Sequence, residues 1–492
     1  MAGNFTGPGF DLQPSAQQVP LATNYITNFD FLNQYLPDTY DKEFERYGNR
    51  TIGSFLRLVG AELPSNSDLI KWAEQGRLHV KYTQVGTAAA AADDEAVFQV
   101  NDDAAPAGQP TTGQNPFDAQ GGIALREGQT VVVSQNDGSG ENKGIITDVD
   151  LTASPIQFTV AFYEAGGLVT AGTGAGNADV TVWIYGSEFR KGTNGMDGSL
   201  ESDDYIFENS PIIIKDKYSV SGSDMAQIGW VEVTTENGAT GYLWYMKSEH
   251  ETRLRFDDYL ETAMVEAVPA EAGSGVVNNT LNPDYGNKGS EGIFHVVGDR
   301  GNLWTGGIPN ALADFDTIIG RLDAQGAIEE NVLFVDRAFG FAIDDMLAAQ
   351  NSYGAGGTSF GLFDNDEEMA LNLGFSGFRR GYDFYKTDWK YLNDPTMRGG
   401  NATGASSGHI NGILVPAGST SVYDQVLGKN AKRPYLHVRY RASETEDRRY
   451  KTWITGSAGG AATSSLDAME VHFLSERCVC TMGANNFVMF ED

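Results

Sequence analysis

The stretch GYLWYMKSEHETRLRFDDYLETAMVEAVPAE, residues 241–271, constrains the fold most. It predicts one helix of about 27 residues in a chain otherwise rich in glycine and in short alternating segments. At about 1.5 Å per residue this helix is about 40 Å long, which exceeds the width of most single domains. Side chains recur on one stripe at helical spacing, so we expect the helix to lie against another layer. The stripe consists of Leu243, Met246, His250, Leu254, Asp257, Leu260, Met264 and Val268.

The composition predicts a folded, acidic protein with room for about three domains. The chain has 492 residues, of which 41% are hydrophobic, and its formal net charge is −32. Such a charge repels nucleic acid and anionic membranes, which argues against a sequence-reading DNA-binding protein. The start of the chain has neither the basic nor the apolar segment of a secretion signal, and no long apolar run occurs. We therefore expect a soluble protein made in the cytoplasm.

The chain begins with segments that predict little compact structure. Residues 1–49 open with prolines and glycines and predict an extended N-terminal arm. Residues 50–83 predict short helices, one of them over 65–78 with its N-cap at Ser67 or Asp68. Extended arms of this kind usually need a neighbouring molecule to hold them.

Two β-rich regions follow before the long helix. Residues 84–186 contain four or more alternating stretches, among them PIQFTVAF, which predict an inserted small all-β domain, either a barrel or a sandwich. Residues 187–237 are charged and glycine-rich, and they predict a long β-hairpin arm that projects from the molecule.

The second half of the chain predicts a mixed α/β region and then a return to strands. A linker over 271–300 leads into EGIFHVVGDRG, which predicts a strand closed by a turn. The segment NVLFVD predicts a buried strand, and most of residues 421–492 predict strands. Helices are predicted over 308–326, 336–354 and 364–375.

Motifs for catalysis, metal binding and cofactors are not found in the sequence. The six histidines show no zinc-ligand spacing, and residues 298–307 lack the ending of a phosphate-binding loop. Acidic clusters at 364–368 and at Asp148 with Asp150 lack the calcium-loop spacing, and helix caps or solvated acids explain them as well. We predict no enzyme, no catalytic residue, no cofactor and no metal site. Cys478 and Cys480 are expected to be buried free thiols.

One basic segment stands out in this acidic chain. Residues 432–451, KRPYLHVRYRASETEDRRYK, place basic side chains on both sides of an acidic turn, which suits ion pairing between copies of the chain. An anion-binding or nucleic-acid patch and a solvated hairpin are the alternatives. The subunit-contact candidates are Lys432, Arg433, Arg439, Arg441, Glu444, Glu446, Asp447, Arg448 and Arg449, and Lys451 completes the basic set.

The order of these segments resembles the major capsid proteins of tailed bacteriophages, which have the Hong Kong 97 (HK97) type of fold. The most similar local stretches are NVLFVDRAFGFAIDDMLAA and INGILVPAGSTSVYD, and the overall style is similar to crAss-like phages of gut Bacteroidetes. The resemblance implies an α+β, HK97-like capsid fold whose parts follow in chain order. They are an N-terminal arm (1–49), an E-loop region (50–83 and 187–237), an inserted β domain (84–186), a spine helix with the first part of the P-domain (238–300), an axial A-domain (301–420) and a C-terminal β return (421–492).

The same resemblance implies a structural role in the virion. Copies of the chain would form hexamers and pentamers of an icosahedral shell that encloses double-stranded DNA without sequence-specific contacts. Auxiliary or decoration proteins, a portal and a scaffold are the implied partners, and assembly would take place in the host bacterial cytoplasm. We expect reversal of Arg439 and Arg441 to Glu to block shell formation while the monomer stays folded. A phage tail-fibre or carbohydrate-binding adhesin is the alternative, and a glycosidase ranks third.

Overall fold

A computed structural model describes the larger part of the chain. The described residues are 6–7, 10–11, 61–75, 79, 81–90, 95–100, 123–136, 140–153, 156–164, 180–198, 204–226, 233–234, 240–241, 244–276, 287–352, 377–394, 396–398, 409–424, 429–458 and 462–491. Most of the predicted N-terminal arm and the predicted helix over 364–375 lie outside these residues.

Strands outnumber helices in the described residues. In chain order the strands are β1 (Thr6–Gly7), β2 (Phe10–Asp11), β3 (Ala61–Ser65), β4 (Ile70–Gln75), β5 (Lys81–Ala90), β6 (Glu95–Val100), β7 (Gln129–Gln135), β8 (Glu141–Asp150), β9 (Ile156–Phe162), β10 (Val180–Ser187), β11 (Asp204–Asn209), β12 (Ile212–Ser221), β13 (Val233–Thr234), β14 (Thr240–Gly241), β15 (Asn302–Trp304), β16 (Glu330–Val335), β17 (Gly377–Arg380), β18 (Tyr382–Asp388), β19 (Ile410–Pro416), β20 (Ser419–Asp424), β21 (Lys429–Pro434), β22 (Leu436–Arg441), β23 (Lys451–Gly456), β24 (Ala468–Thr481) and β25 (Val488–Glu491). The helices are α1 (Gly222–Met225), α2 (Trp244–Glu266), α3 (Ile293–Arg300), α4 (Leu312–Gln325), α5 (Arg337–Ser352) and α6 (Lys390–Asn393).

The chain divides into two compact units. The smaller unit is Ala73–Phe207, and the larger one combines Met1–Trp72 with Glu208–Asp492. The boundary falls within β4 and β11, which pair as a two-stranded ribbon. This mixed α and β content agrees with the α+β class expected from the sequence.

The smaller unit is a closed, antiparallel β-barrel in the order β5-β6-β9-β8-β7-β10. Alternation along each strand sends every second side chain inward, and Phe158 and Val160 of β9 lie in the core with Tyr82 and Phe98. Burial raises the pKa of the Tyr82 hydroxyl to about 12, and that oxygen accepts a hydrogen bond from the amide of Ala124. Side chains therefore fill the barrel interior. That this barrel is an insertion into a larger fold stays a prediction.

The larger unit contains a five-stranded sheet built around β24. Strand β12 pairs antiparallel with one edge of β24 over ten residues, from Ile212 opposite Arg477 to Ser221 opposite Ala468. Strands β22 and β23 also pair antiparallel with β24, and β3 pairs parallel with β22. Strand β24 thus lies beside β12, although more than 200 residues of chain, including the long helix, separate the two strands.

Helix α2 has 23 residues, lies on this sheet and contacts two cores. Phe256 and Leu260 pack in one core with Phe473 of β24. One to two turns later, Met264 and Val265 pack in a second core between the two large sheets. Phe256 and Val265 lie nine residues apart, about 14 Å along the helix axis, so the second half of α2 contacts both clusters.

The buried face of α2 differs from the predicted stripe. Leu260 and Met264 are buried as predicted, but Val268 lies beyond the helix end and is 57% exposed. Phe256 was not in the predicted stripe, yet it is fully buried between Tyr450 and Phe473. Contact with these two rings determines which face of α2 is buried. Helical periodicity alone does not predict that face.

The larger unit also contains a six-stranded mixed sheet in the order β15-β25-β19-β16-β18-β17. Its two faces carry different cores: Leu333 and Val335 of β16 face α4 and α5, and Phe334 faces the core that contains Met264. Helix α4 buries Phe315, with Ile318 and Leu322 on the same face. A strand buried on both faces reads as a continuous apolar run, which is why NVLFVD predicts it correctly.

Three sequence expectations for this unit are wrong. Residues 291–301 are not a strand, because Ile293–Arg300 form helix α3 with four apolar side chains on one buried face. Residues 65–78 are not a helix, because β4 pairs with β11; the Ser67 hydroxyl donates to the carbonyl of Leu69 and does not cap a helix. Residues 187–237 are not one projecting hairpin, because β12 belongs to the five-stranded sheet.

Candidate subunit-contact surface

The basic segment 432–451 forms one end of the five-stranded sheet. It runs from the end of β21 through β22 to the start of β23, and its acidic turn is closed by the amide of Ser443, which donates to the carbonyl of Glu446 at 2.8 Å. An isolated bridge joins Ala442 to Asp447 across the same turn. The predicted acidic turn between basic flanks is therefore present, and the strands on its two sides, β22 and β23, both pair with β24.

Two arginines of the segment converge on Glu476 of β24. The Arg448 Nε lies 2.6 Å from one oxygen of Glu476, and the Arg441 Nη1 lies 3.9 Å from the other. Arg441 also pairs with Asp68, which follows β3. The Glu476 carboxylate is almost entirely buried, so its two arginines offset a desolvation cost that an unpaired carboxylate would carry.

A second group centres on Glu62 of β3. Arg449 pairs with one oxygen of Glu62, and the Nη1 of Arg477 lies 3.4 Å from the other. Arg477 is buried, and it also donates to the Ser475 hydroxyl at 2.8 Å and to the carbonyl of Arg449 at 2.9 Å. Because the buried cation has these partners, it holds β3, β24 and the turn after β22 together.

Exposed ion pairs stabilise the tip of the turn. Lys451 donates to Glu446 at 2.8 Å, and Arg448 lies 3.6 Å from the same carboxylate. The hydrogen bond from Lys451 is the main reason that the pKa of Glu446 lies below its ordinary value. Asp447 accepts a hydrogen bond from the amide of Arg449, whereas Glu444 is exposed.

The remaining candidates lie on β21 and β22. Arg433 is buried, and that burial, followed by the charge of Arg439, lowers the pKa of its guanidinium. Arg439 is half-buried opposite Cys478, and its Nε has no hydrogen-bond partner among the described residues. The side chain of Lys432 lies outside the described residues.

This geometry limits which charged side chains of the basic segment can form ion pairs with another copy of the chain. Arg441, Arg448 and Arg449 already have carboxylate partners within their own subunit. Pairing between copies, which the sequence predicts for the whole segment, stays a prediction. Within the described residues, Arg439 and the exposed Glu444 are the main candidates for pairing between copies.

Sequence reasoning missed the acids that neutralise these arginines. Glu62 lies 415 positions from Arg477, and Asp68 lies 373 positions from Arg441. Alternation along SERCVC places Glu476 and Cys478 on one face of a strand, but only the pairing of β22 with β24 brings that face to Arg439 and Arg441.

The two cysteines are free and buried, as predicted. His437 lies opposite Cys480 and Arg439 opposite Cys478 in the antiparallel register. The two thiols share a hydrogen bond, which together with burial raises the pKa of Cys478. No group of three or more metal-ligating side chains occurs in the part of the chain that the structure describes, and no described helix is long and apolar enough to span a membrane.

A second exposed surface lies on the ribbon of β4 and β11. Tyr205 and Ile206 point to opposite faces of β11, and both are exposed, Ile206 at 68%. Lys71 of β4 pairs with Glu208 of β11 at 2.9 Å. A two-stranded ribbon with apolar side chains uncovered on both faces is marginal on its own in water.

No model of a known protein family matches the sequence, and no curated protein matches it. Among solved structures, the chain is similar to one from Microbacterium phage Oxtober96, with a TM-score of 0.38 and 10% identity over 94% of this chain and 97% of that chain. It is also similar to the capsid structure of cyanophage P-SCSP1u (TM-score 0.32, 9% identity, 62% of this chain and 79% of that chain). A third similar structure is the holo-SrpI encapsulin complex from Synechococcus elongatus (TM-score 0.29, 10% identity, 60% and 77%).

Proposed function

We propose that this chain is the major capsid protein of a tailed bacteriophage, with an HK97-like fold, and that it forms hexamers and pentamers of an icosahedral shell. The observation that carries the proposal is the path of the chain through the larger unit. Strand β12 of the five-stranded sheet comes before one long helix that contacts two cores, a mixed α/β layer follows, and β24 returns beside β12. The sequence resemblance to capsid proteins rests on the same order.

The ribbon of β4 and β11 supports assembly into a shell. Its uncovered apolar side chains gain a packed environment if the ribbon lies over a neighbouring copy. In a closed symmetric shell each copy both supplies and receives such a contact, so many modest contacts add up to collective stability.

The charge of the chain supports enclosure of double-stranded DNA without tight binding. A net charge of −32 per copy keeps the phosphate backbone from adhering to the inner wall. The same charge makes subunits repel one another, and local cations must offset that repulsion at the contacts. The remaining parts of the proposal are auxiliary or decoration proteins, a portal and a scaffold as partners, assembly in the host bacterial cytoplasm, and membership of the crAss-like phages.

Negative-stain electron microscopy of the full chain, purified over a range of concentrations, tests this proposal. Closed shells with hexameric and pentameric units are the expected result. Discrete trimers or fibres would favour a tail-fibre or carbohydrate-binding adhesin. A chain that stays monomeric at every concentration, also with a crowding agent, would contradict self-assembly.

A single charge reversal at Arg439 tests the contact surface. Because Arg441 lies 3.9 Å from Glu476, Arg441→Glu would place two carboxylates together and destabilise the subunit itself. A double reversal at Arg439 and Arg441 therefore cannot report on assembly alone. We expect Arg439→Glu to abolish shells while sedimentation shows a folded monomer. Normal shells from Arg439→Glu would remove this residue from the interface.

A further inference from the structure

Three aromatic side chains gather on the outer wall of the barrel. Tyr163, Trp183 and Tyr185, here called the aromatic patch, are 50%, 41% and 47% exposed. Contact between a large exposed ring and water is unfavourable in free energy, and that cost is removed when another surface covers the ring. The patch therefore requires an explanation that the barrel fold does not give.

The strand geometry of β10 builds the patch. Val180 and Val182 point into the barrel core and Ile184 packs against it, so Trp183 and Tyr185, which alternate with them, point outward. The register of β10 with β7 shifts between Ile184 and Gly186, which is the signature of a bulge at Tyr185. The rings of Trp183 and Tyr185 are 6.4 Å apart and inclined at 68°. They form two adjacent faces rather than one closed stack.

Polar groups hold the edge of the patch in place. The Tyr163 hydroxyl donates to the Glu188 carboxylate at 2.5 Å, and the amide of Glu188 donates to the carbonyl of Gly128 at 3.0 Å. Burial, and next the hydrogen bond to Glu188, raise the pKa of Tyr163, so its hydroxyl stays neutral. The rings thus end in hydrogen-bonding groups that are already oriented.

An apolar side chain, Val132, lies buried beneath the patch. Val131 and Val133 belong to the barrel core, so Val132 between them points outward, directly opposite Trp183. Val132 is nevertheless buried, as is expected if the indole covers it. Because side chains such as Phe98 and Phe158 fill the interior, a ligand must bind on the outside.

We propose that the aromatic patch binds a neutral polysaccharide, with sugar rings lying on Trp183 and Tyr185. A pyranose ring has an apolar face of C–H groups and a rim of hydroxyls, which matches rings whose edges carry a phenol, an indole N–H and a carboxylate. The net charge of −32 disfavours an anionic polymer. This inference does not rest on the proposed capsid function.

The surroundings favour a sugar over a protein partner. The residues beside the patch on the neighbouring strands and at the end of β9 are polar and exposed; they are Lys81, Lys143 and Glu164. A stable protein interface buries about 800 Å² on each side around a dry apolar core, and these charged neighbours leave little room for one. A few aromatic rings within a polar surround suit a chain of sugar rings.

Affinity electrophoresis of the full chain in native gels that contain dextran, mannan, xylan or galactan tests the proposal. We expect retardation in at least one gel and about a tenfold weaker affinity for Trp183→Ala, since one lost aromatic contact corresponds to roughly that factor. Tyr185→Ala is the second variant, because it leaves Val132 covered. The control is Tyr385→Ala, which removes an equally exposed ring in the larger unit.

Each outcome decides the question. Retardation that both patch variants lose and the control keeps supports the polysaccharide site. Absence of retardation in all four gels, or equal retardation of Tyr185→Ala and the unmodified chain, overturns it. Concentration-dependent self-association that Trp183→Ala abolishes, without retardation in any gel, would assign the patch to a second copy of the chain and also overturn the proposal.

Discussion

Replacing Phe256 by Ala is the most direct test of how the long helix is held. The ring is fully buried against Tyr450 and Phe473, at centroid distances of 5.4 and 5.8 Å. Losing the buried ring surface costs about 2–3 kcal/mol, and the cavity and the lost ring pairs bring the total to about 4 kcal/mol. Tyr259→Ala on the exposed side of the same helix should change stability by less than about 0.5 kcal/mol.

Hydrogen exchange followed by mass spectrometry suits this measurement, because a chain with two compact units need not unfold in one step. Amides of α2 and β24 should lose protection in Phe256→Ala, while barrel amides keep theirs. A loss below about 1 kcal/mol, or one equal to that of Tyr259→Ala, would refute the view that this ring fastens the helix to the sheet.

Three further predictions concern single groups. Glu476→Gln should destabilise the larger unit by about 2 kcal/mol in urea unfolding, because Arg448 loses its buried counter-charge; an unchanged midpoint would contradict this. Burial opposes ionisation of Glu266, but hydrogen bonds from Arg398 and then Tyr391 outweigh it and lower its pKa. The stability from that shift is present above the unfolded pKa of about 4.3 and is lost as pH falls through the folded value, so Glu266→Gln should flatten the acid limb of a stability profile. Gly456→Ala should lower the melting temperature, since φ is +122° and a Cβ would strike the carbonyl of Ala468; equal melting temperatures would refute that clash.

The sequence predicted those elements whose signal is local. Helices α2, α4 and α5 follow from apolar side chains at helical spacing, and β16 follows from a short buried run. Alternation along PIQFTVAF correctly places Phe158 and Val160 in a barrel core. The burial of both cysteines follows from their position on one face of an apolar strand.

Only the tertiary structure decided the segments whose signal is ambiguous and the partners of the charged residues. The sequence of residues 65–78 is compatible with a helix, but β11 provides a partner strand for β4. The sequence of residues 291–301 is compatible with a strand, but as a helix the segment buries its apolar face in a core. The carboxylates beside Arg441 and Arg477 come from positions hundreds of residues away. Periodicity is set by neighbours in the chain and is visible in the sequence. Pairing across a sheet depends on which distant strand arrives beside it, and that is determined by the packing of the whole unit.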